Sequence, residues 1–321
     1  MKHGPKLSYL MDWSHHAGRI AWYARGLWHW LTPYGICKRQ TEKLLRDASS
    51  RQDFKNIEDR AAYYNKLSKP FDASDAAMVS EIESDRSRYF LDLIEHAKGF
   101  GADRRLHYLF GDITLVPPIP KIVKSRPISN TNTNSIIINL DKRRHFLWTS
   151  DPVPFGEKKS AAVWRGGANN KARKLLVEKF YDHPEFDIGH TSGDVGERPA
   201  KRGLTHKEQM QFKYFISLEG NDVATNLKWS MASNMLVMSP KLHFETWFME
   251  GRLEPNRHFV LLRDDFGDLE EKVAFYNENP QAAERIITEA HCWIDQFGDP
   301  LKERMIAALV LEKYFRLSGQ V

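Results

Sequence analysis

The chain has 321 residues, of which 41% are hydrophobic and 28% charged, and a formal net charge of +5. That length supports a substantial core in one large or two medium domains, and no run approaches the roughly 18 apolar residues that would span a bilayer. Two cysteines, Cys37 and Cys292, are too few for a disulfide framework or a cysteine metal site, and the N-terminus lacks the apolar core of a signal peptide, so a reducing cytoplasm is the expected setting.

Charge is concentrated at the start. Residues 1–52 hold nine Lys and Arg against three acidic residues, while the remainder is nearly neutral. The same segment carries Tyr9, Trp13, Trp22, Tyr23, Trp28, Trp30 and Tyr34. Trp rings favour lipid headgroups and cationic side chains favour anionic lipid, so a peripheral contact with an anionic membrane is one reading. The plainer reading is that the rings cover the fold, because Ile20, Tyr23, Leu27 and Leu31 follow a core-facing helical spacing. Nucleic acid is the weakest of the three and is not expected as a partner.

Residues 53–100 are predicted helical from the near-3.6 recurrence of Met78, Ile82, Tyr89, Leu93 and Ile94, with Gly99 and Gly101 as the stop. Residues 107–110 predict a short buried strand ending at Gly111-Asp112, and a Pro-rich loop follows. A second apolar strand is expected over 135–140, with a charged turn over 141–145. Past a linker at 151–156 the pattern alternates short strands and helices: strands over 161–164, 212–218, 235–238 and 259–262, and helices over 171–181 and 224–233. Asp268 and Glu271 predict a capping box, and Asn279-Pro280 and Asp299-Pro300 open two last helices. The expected domains are a basic aromatic segment 1–52, an acceptor-side lobe 53–155, a donor lobe 156–298 and a C-terminal helix 299–321 packing back on the first lobe.

The strand-loop-helix around Trp164-Arg165-Gly166-Gly167 has the physics of an anion site. Two glycines let the backbone approach a ligand, a helix N-terminus offers free N–H groups, and Arg165 adds a planar fork suited to phosphate oxygens. A tight turn is the alternative reading of the glycines. Further on, the segment from Gly220, Asn221 and Asp222 through Thr225 and Asn226 to Lys228 again runs from a strand end into a helix. It gathers groups able to bind ribose, sugar or phosphate, against a plain helix cap with Lys228 as a solvated surface residue.

These segments, with Ala162-Val163 before Trp164 and Trp229 to Asn234 after Lys228, closely resemble glycosyltransferase family 90. The loop Val116-Pro117-Pro118-Ile119-Pro120-Lys121 and the run Asn221-Asp222-Val223-Ala224-Thr225-Asn226 look most like its bacterial lipopolysaccharide branch, and the resemblance covers roughly residues 105–297. It implies an α/β fold of the GT-B type, with two Rossmann-like lobes around a cleft, and a UDP-sugar as co-substrate. It also implies inversion at the anomeric carbon and no metal or other cofactor. No Asp-x-Asp triplet is present, so leaving-group charge would fall to fixed cations and dipoles. Arg165 is expected on the diphosphate, with Gly166, Gly167 and the Gly220 to Lys228 turn forming the rest of the donor site.

The family's catalytic aspartate precedes the Arg-Gly segment, and Asp112 stands at the matching place as the base, with Asp141 as fallback. The animal branch usually carries arginine where Asn226 stands, which leaves the role of Asn226 open. Lys124 and Arg126 are expected to contact donor or acceptor. Glu245 is expected to hold ribose hydroxyls in the donor half, and His258 there reads as either a contact or a structural residue. The expected activity is transfer of a hexose, with glucose favoured, from a UDP-sugar to a lipopolysaccharide core at the inner face of the cytoplasmic membrane. The rival readings are a capsule or protein acceptor, or a non-enzymatic binder of polyanion or lipid.

Overall fold

The structure, a computed structural model, describes residues 15–85, 87–145 and 149–321. Tyr9 and Trp13 lie outside the described residues. Helices α1 (His15–Leu31), α2 (Tyr34–Ser49) and α3 (Phe54–Tyr64) lead to strand β1 (Ala77–Met78) and helix α4 (Ser87–Ala97). Five short strands follow, β2 (Arg105–Leu106), β3 (Tyr108–Leu109), β4 (Lys121–Val123), β5 (Arg126–Pro127) and β6 (Ser135–Ile137), and then the helical turn α5 (Lys142–His145). Next come β7 (Lys159–Gly167), α6 (Lys171–Phe180), β8 (Asp187–Ser192), α7 (His206–Gln209), β9 (Phe212–Ile216), α8 (Asn226–Met231) and β10 (Leu236–Ser239). The chain continues through β11 (Phe244–Glu245) and β12 (Val260–Leu261) to helices α9 (Leu269–Glu278), α10 (Pro280–Asp295) and α11 (Pro300–Leu317). Of the described residues, those up to His145 with Phe244–Glu250 and Asp299–Val321 form a first compact unit, and the others form a second.

In the second unit, five strands pair in parallel in the order β12-β10-β9-β7-β8. Counted along the chain this is the 2-1-3-4-5 order of a doubly wound sheet. Period-two alternation sorts its side chains. Ala162, Trp164, Tyr214, Ile216, Leu236 and Met238 join one core with Leu176 and Phe180 of α6, Val273 of α9 and Ile287 of α10. Val163 and Phe215 face the opposite core with Met210 and with Trp229 of α8. Both faces are therefore covered, as a parallel sheet requires.

The first unit is built on the parallel sheet β3-β4-β6 with helices around it. A buried ion pair ties its ends: Arg60 on α3 donates to Glu303 on α11 at 2.6 Å, and Asn139 after β6 donates to the same carboxylate at 3.2 Å. Asp299 caps α11 by accepting from Leu301 N and Lys302 N at 2.9 and 3.1 Å.

Several expectations from the sequence need correction. The helical pattern over 53–100 breaks between α3 and α4, where Pro70 and an Asp72–Ser74 turn interrupt the chain and Met78 enters β1. The capping box at Asp268 does not form, because its carboxylate accepts from Arg263 N at 3.0 Å and pairs with Lys272. Most directly, the spacing of Ile20, Leu27 and Leu31 marks the outward face of α1, with exposures of 70, 45 and 73%. The inward side is fixed instead by an Arg25–Glu95 ion pair at 2.6 Å and by Gly26, where a Cβ would lie 2.8 Å from Leu91 Cδ1.

Removing one partner of a buried ion pair strands the other. Glu303→Ala is therefore expected to lower unfolding free energy by about 3–5 kcal/mol in urea titrations, and an unchanged transition would remove the Arg60–Glu303 pair from the supports of this unit.

Candidate functional site at two strand-end clusters

In a doubly wound sheet, neighbouring crossovers leave on opposite faces where the strand order reverses, and a crevice opens outside the carboxyl ends of the strands. Here that point lies between β7 and β9. The loop after β7 is only 168–170, with Asn170 as the cap of α6. Its Oδ1 accepts from Arg173 N at 3.0 Å, while its Nδ2 donates to the carbonyls of Glu219 and Gly220 at 2.9 and 3.0 Å. One amide side chain thus joins the two loops.

Arg173, in the first turn of α6, joins them again. Its guanidinium donates to the carbonyls of Gly167 (3.2 Å), Leu218 (2.9 Å) and Glu219 (3.0 Å) and to Asn169 Oδ1 (3.2 Å). All four acceptors are neutral, and among the described residues no carboxylate pairs with this arginine. Burial pulls its pKa down. A half-buried cation whose charge is met only by dipoles favours an incoming anion. Gly220 keeps the approach open, since a Cβ there would stand 3.3 Å from Arg173 Nη2.

The other expected donor residues are placed as follows. Gly166 and Gly167 belong to β7 rather than to a loop. A Cβ on Gly166 would meet the Trp164 ring at 3.0 Å and one on Gly167 would meet Ser192 Oγ at 2.9 Å, so strand packing selects them. Arg165 turns to β8, where it pairs with Asp187 and donates to the carbonyls of Asp187 (2.8 Å) and Arg202 (3.2 Å). Its side chain is 7% exposed, and that guanidinium is neutralised inside the sheet edge. Asn221 is exposed and Asp222 buried, Gly220 N donates to Asp222 O at 3.0 Å, and Thr225 precedes α8. Asn226 accepts from Ser217 Oγ at 3.1 Å. Lys228 is buried in α8, which corrects the reading of a solvated surface lysine.

Three parallel strands in the first unit end at one edge, and each is followed by a charged residue: Asp112 after β3, Lys124 after β4 and Asp141 after β6. Gly111 has φ +125°, a backbone state that favours glycine, and it turns the chain into Asp112. Lys124 Nζ, fully buried, donates to Asp112 Oδ1 at 2.6 Å, while the Asp112 side chain keeps 31% exposure. Asp141 is buried, with φ +56°, and stands near Arg144 (3.3 Å) and Arg88 (3.9 Å). Burial pushes its carboxyl pKa up against these cations. The accessible carboxylate of the pair is Asp112.

Two further expectations change. Glu245 belongs to the first unit, not to the donor half. It pairs in β11 with Arg126 in β5, accepting from Arg126 Nε at 2.7 Å and from the Tyr63 hydroxyl, and both members of the pair are buried. Arg126 is completed by the carbonyls of Tyr63, Tyr64 and Ser135. His258 accepts from Glu254 N at 2.9 Å and packs on Trp293, the structural reading of that histidine. Sequence reasoning missed Arg173. Its signal was a cation in the first helical turn after the glycines, three residues past the cap.

A doubly wound parallel sheet with an anion-seeking switch point in one unit, and a strand-edge carboxylate held by lysine in the other, are features found in α/β group-transfer enzymes. The comparisons give that class its identity. The family described as Glycosyl transferase family 90 matches residues 134–306. An O-glucosyltransferase, LpsA, of Dichelobacter nodosus is 45% identical over 264 residues, covering 81% of this chain and 83% of that protein. Protein O-glucosyltransferase 3 of Homo sapiens is 26% identical over 166 residues, covering 49% of this chain and 32% of that protein. The chain belongs to glycosyltransferase family 90 and is a glycosyltransferase.

The turn that carries Asp141 gives a pH prediction. Asp92, buried beneath it, accepts from Lys142 N at 2.9 Å, and burial pushes its pKa from 3.8 up to about 7. A carboxyl whose pKa rises on folding adds stability that is fully present below pH 3.8 and is lost as pH rises through about 7. Asp92→Asn keeps an acceptor without the charge. It is expected to stabilise the protein at pH 8 by about 2–4 kcal/mol and to be near neutral at about pH 4. Parallel thermal melts at the two pH values check this, and equal effects at both would contradict it.

Proposed function

We propose that the chain is an inverting, metal-independent hexosyltransferase that moves glucose from UDP-glucose to a hydroxyl of a lipopolysaccharide or lipooligosaccharide core. In this reading the two units are the lobes of a GT-B-type enzyme. The observation that carries it is Arg173, a half-buried guanidinium on neutral oxygens alone, set at the switch point of a doubly wound sheet in a family 90 chain. The choice of glucose is supported by the LpsA relative, whose name is that of an O-glucosyltransferase.

The diphosphate lies at the first turn of α6, where the macrodipole and Arg173 offset the charge that grows on it as the glycosidic bond to UDP breaks. Gly166, Gly167, Gly220 and Asn221 shape the close approach, and Asp222, Thr225, Asn226 and Lys228 hold the second loop. On the acceptor side, Asp112 takes the hydroxyl proton as that oxygen attacks the anomeric carbon from the face opposite UDP. Lys124 holds and orients Asp112. Arg165, Glu245, Arg126 and His258 are structural in this scheme.

The test is nucleotide-sugar binding by thermal stabilisation combined with a transfer assay. Arg173→Ala is expected to weaken UDP binding by about 10–100-fold, the loss of one charge-assisted contact, whereas Arg165→Ala leaves that affinity unchanged and lowers stability. Asp112→Asn is expected to retain UDP-glucose binding and to lose transfer by at least about 10³-fold, since no base then remains. Full transfer by the Asp112 variant would defeat the base assignment. Absence of any stabilisation by uridine diphosphate sugars would defeat the donor assignment. Undiminished turnover in excess chelator and a β-anomeric product are the expected readouts for metal independence and inversion.

A further inference from the structure

Helix α1 leaves an apolar face in solvent. On its inner side Gly26 lies against Leu91 and Trp30 meets Phe90 edge to face, the half-exposed Arg25 reaches Glu95 at 2.6 Å, and half-buried His29 has its pKa lowered by desolvation. The Lys98 ammonium, itself buried, donates to the backbone carbonyls of His29 and Trp30 and clamps the end of the helix. The opposite face follows i, i+4, i+7, i+8, i+11 spacing and contains no charge: Ile20, Ala24, Leu27, Trp28 and Leu31 are all exposed, Trp28 by 73%. Beyond Pro33, Ile36 on α2 is also exposed, by 46%.

The charge that follows this face along the chain decides what covers it. On α2 the exposed residues Lys38, Arg39, Lys43 and Arg46 outnumber Glu42 and Asp47. Residues 15–52 hold seven Lys and Arg against those two acidic residues, although the whole chain is only +5. A second copy packed on this face would bring like charges together. An anionic bilayer complements both features at once, since aliphatic and indole side chains enter the headgroup boundary while the cations stay among the phosphates. No described helix is long and apolar enough to cross a membrane, which leaves contact in the plane of the interface as the mode.

We infer that the outward face of α1, together with the exposed basic residues of α2 that follow it in the chain, docks the protein on an anionic lipid surface. The inference uses neither the donor nor the base assigned above, so it stands or falls separately from them. The experiment sediments the full chain with vesicles of phosphatidylcholine alone or mixed with phosphatidylglycerol. Binding is expected to be at least about tenfold stronger on the anionic vesicles and to weaken with salt. The triple variant Leu27→Ser, Trp28→Ser, Leu31→Ser is expected to lose at least about tenfold in partitioning, the effect of withdrawing three apolar side chains from the interface. These side chains are exposed, so the variant's thermal melt should match the parent's. Independently, bromine-labelled lipid is expected to quench tryptophan fluorescence of the parent and less so of Trp28→Ser. Equal partitioning of parent and triple variant, no binding by the parent, or a parent dimer that the triple variant dissolves without any vesicle binding would each overturn the inference.

Discussion

The second unit is governed by the position of β7 between two parallel neighbours. Parallel strands cannot be joined by a hairpin, and crossovers are right-handed in nearly all proteins. Because β8 and β9 flank β7 on opposite sides, the connection from β7 to β8 and that from β9 to β10 cover opposite faces. The core division records this: α6 shares the face of Trp164, while α8 shares the face of Val163. The loops above β7 and β9 therefore part at their carboxyl ends. Asn170 and Arg173 span that gap by hydrogen bonds to the far loop, so topology parts the two loops and these side chains fix their separation.

Two arginines within nine positions show how partner chemistry sets the role of a cation. Arg165 meets the Asp187 carboxylate, and its charge is cancelled locally. Arg173 meets only carbonyl and amide oxygens, which orient a guanidinium without neutralising it. The first arrangement stitches β7 to β8. The second leaves a net positive field at a helix N-terminus, where backbone N–H dipoles add to it. Sequence position favoured Arg165 because it sits beside the glycines, but strand alternation and the reach of Asp187 on the adjacent strand turn it away.

The alternating pattern of the second unit was legible because parallel strands and their helices carry strong local signals. The strands at β7, β9, β10 and β12 and the helices α6, α10 and α11 stand within a few residues of their expected places. What local pattern cannot express is tertiary pairing. Glu245 reads as a donor-half carboxylate by its place in the chain, yet β11 returns to the first unit and pairs with β5, where Arg126 claims it. Gly166 and Gly167 read as a loop, yet the neighbouring Trp164 ring and Ser192 require glycine within a strand. The periodicity of α1 over Ile20, Tyr23, Leu27 and Leu31 read as core-facing, yet three of the four are exposed and Tyr23 is half-buried. Periodicity could not say which way that face points, since an ion pair to Glu95, 70 residues away, decides it.

That ion pair connects two features of the first unit. Glu95 accepts from Arg25 on α1 with one oxygen and from Lys142 on α5 with the other, at 2.6 and 2.7 Å, and Lys142 also contacts His96 at 2.9 Å. The backbone N–H of Lys142 is held by Asp92, and the residue before it is Asp141 at the strand edge that also carries Lys124 and Asp112. The centre of this network is buried, since Glu95 is only 7% exposed and Lys142 18%, and displacing either of them would leave the other's charge uncompensated at low dielectric. The helix that turns its apolar face outward is thus braced against the same short turn that closes the β3-β4-β6 edge. A contact that fixed α1 on a lipid surface would fix the height and tilt of that edge as well.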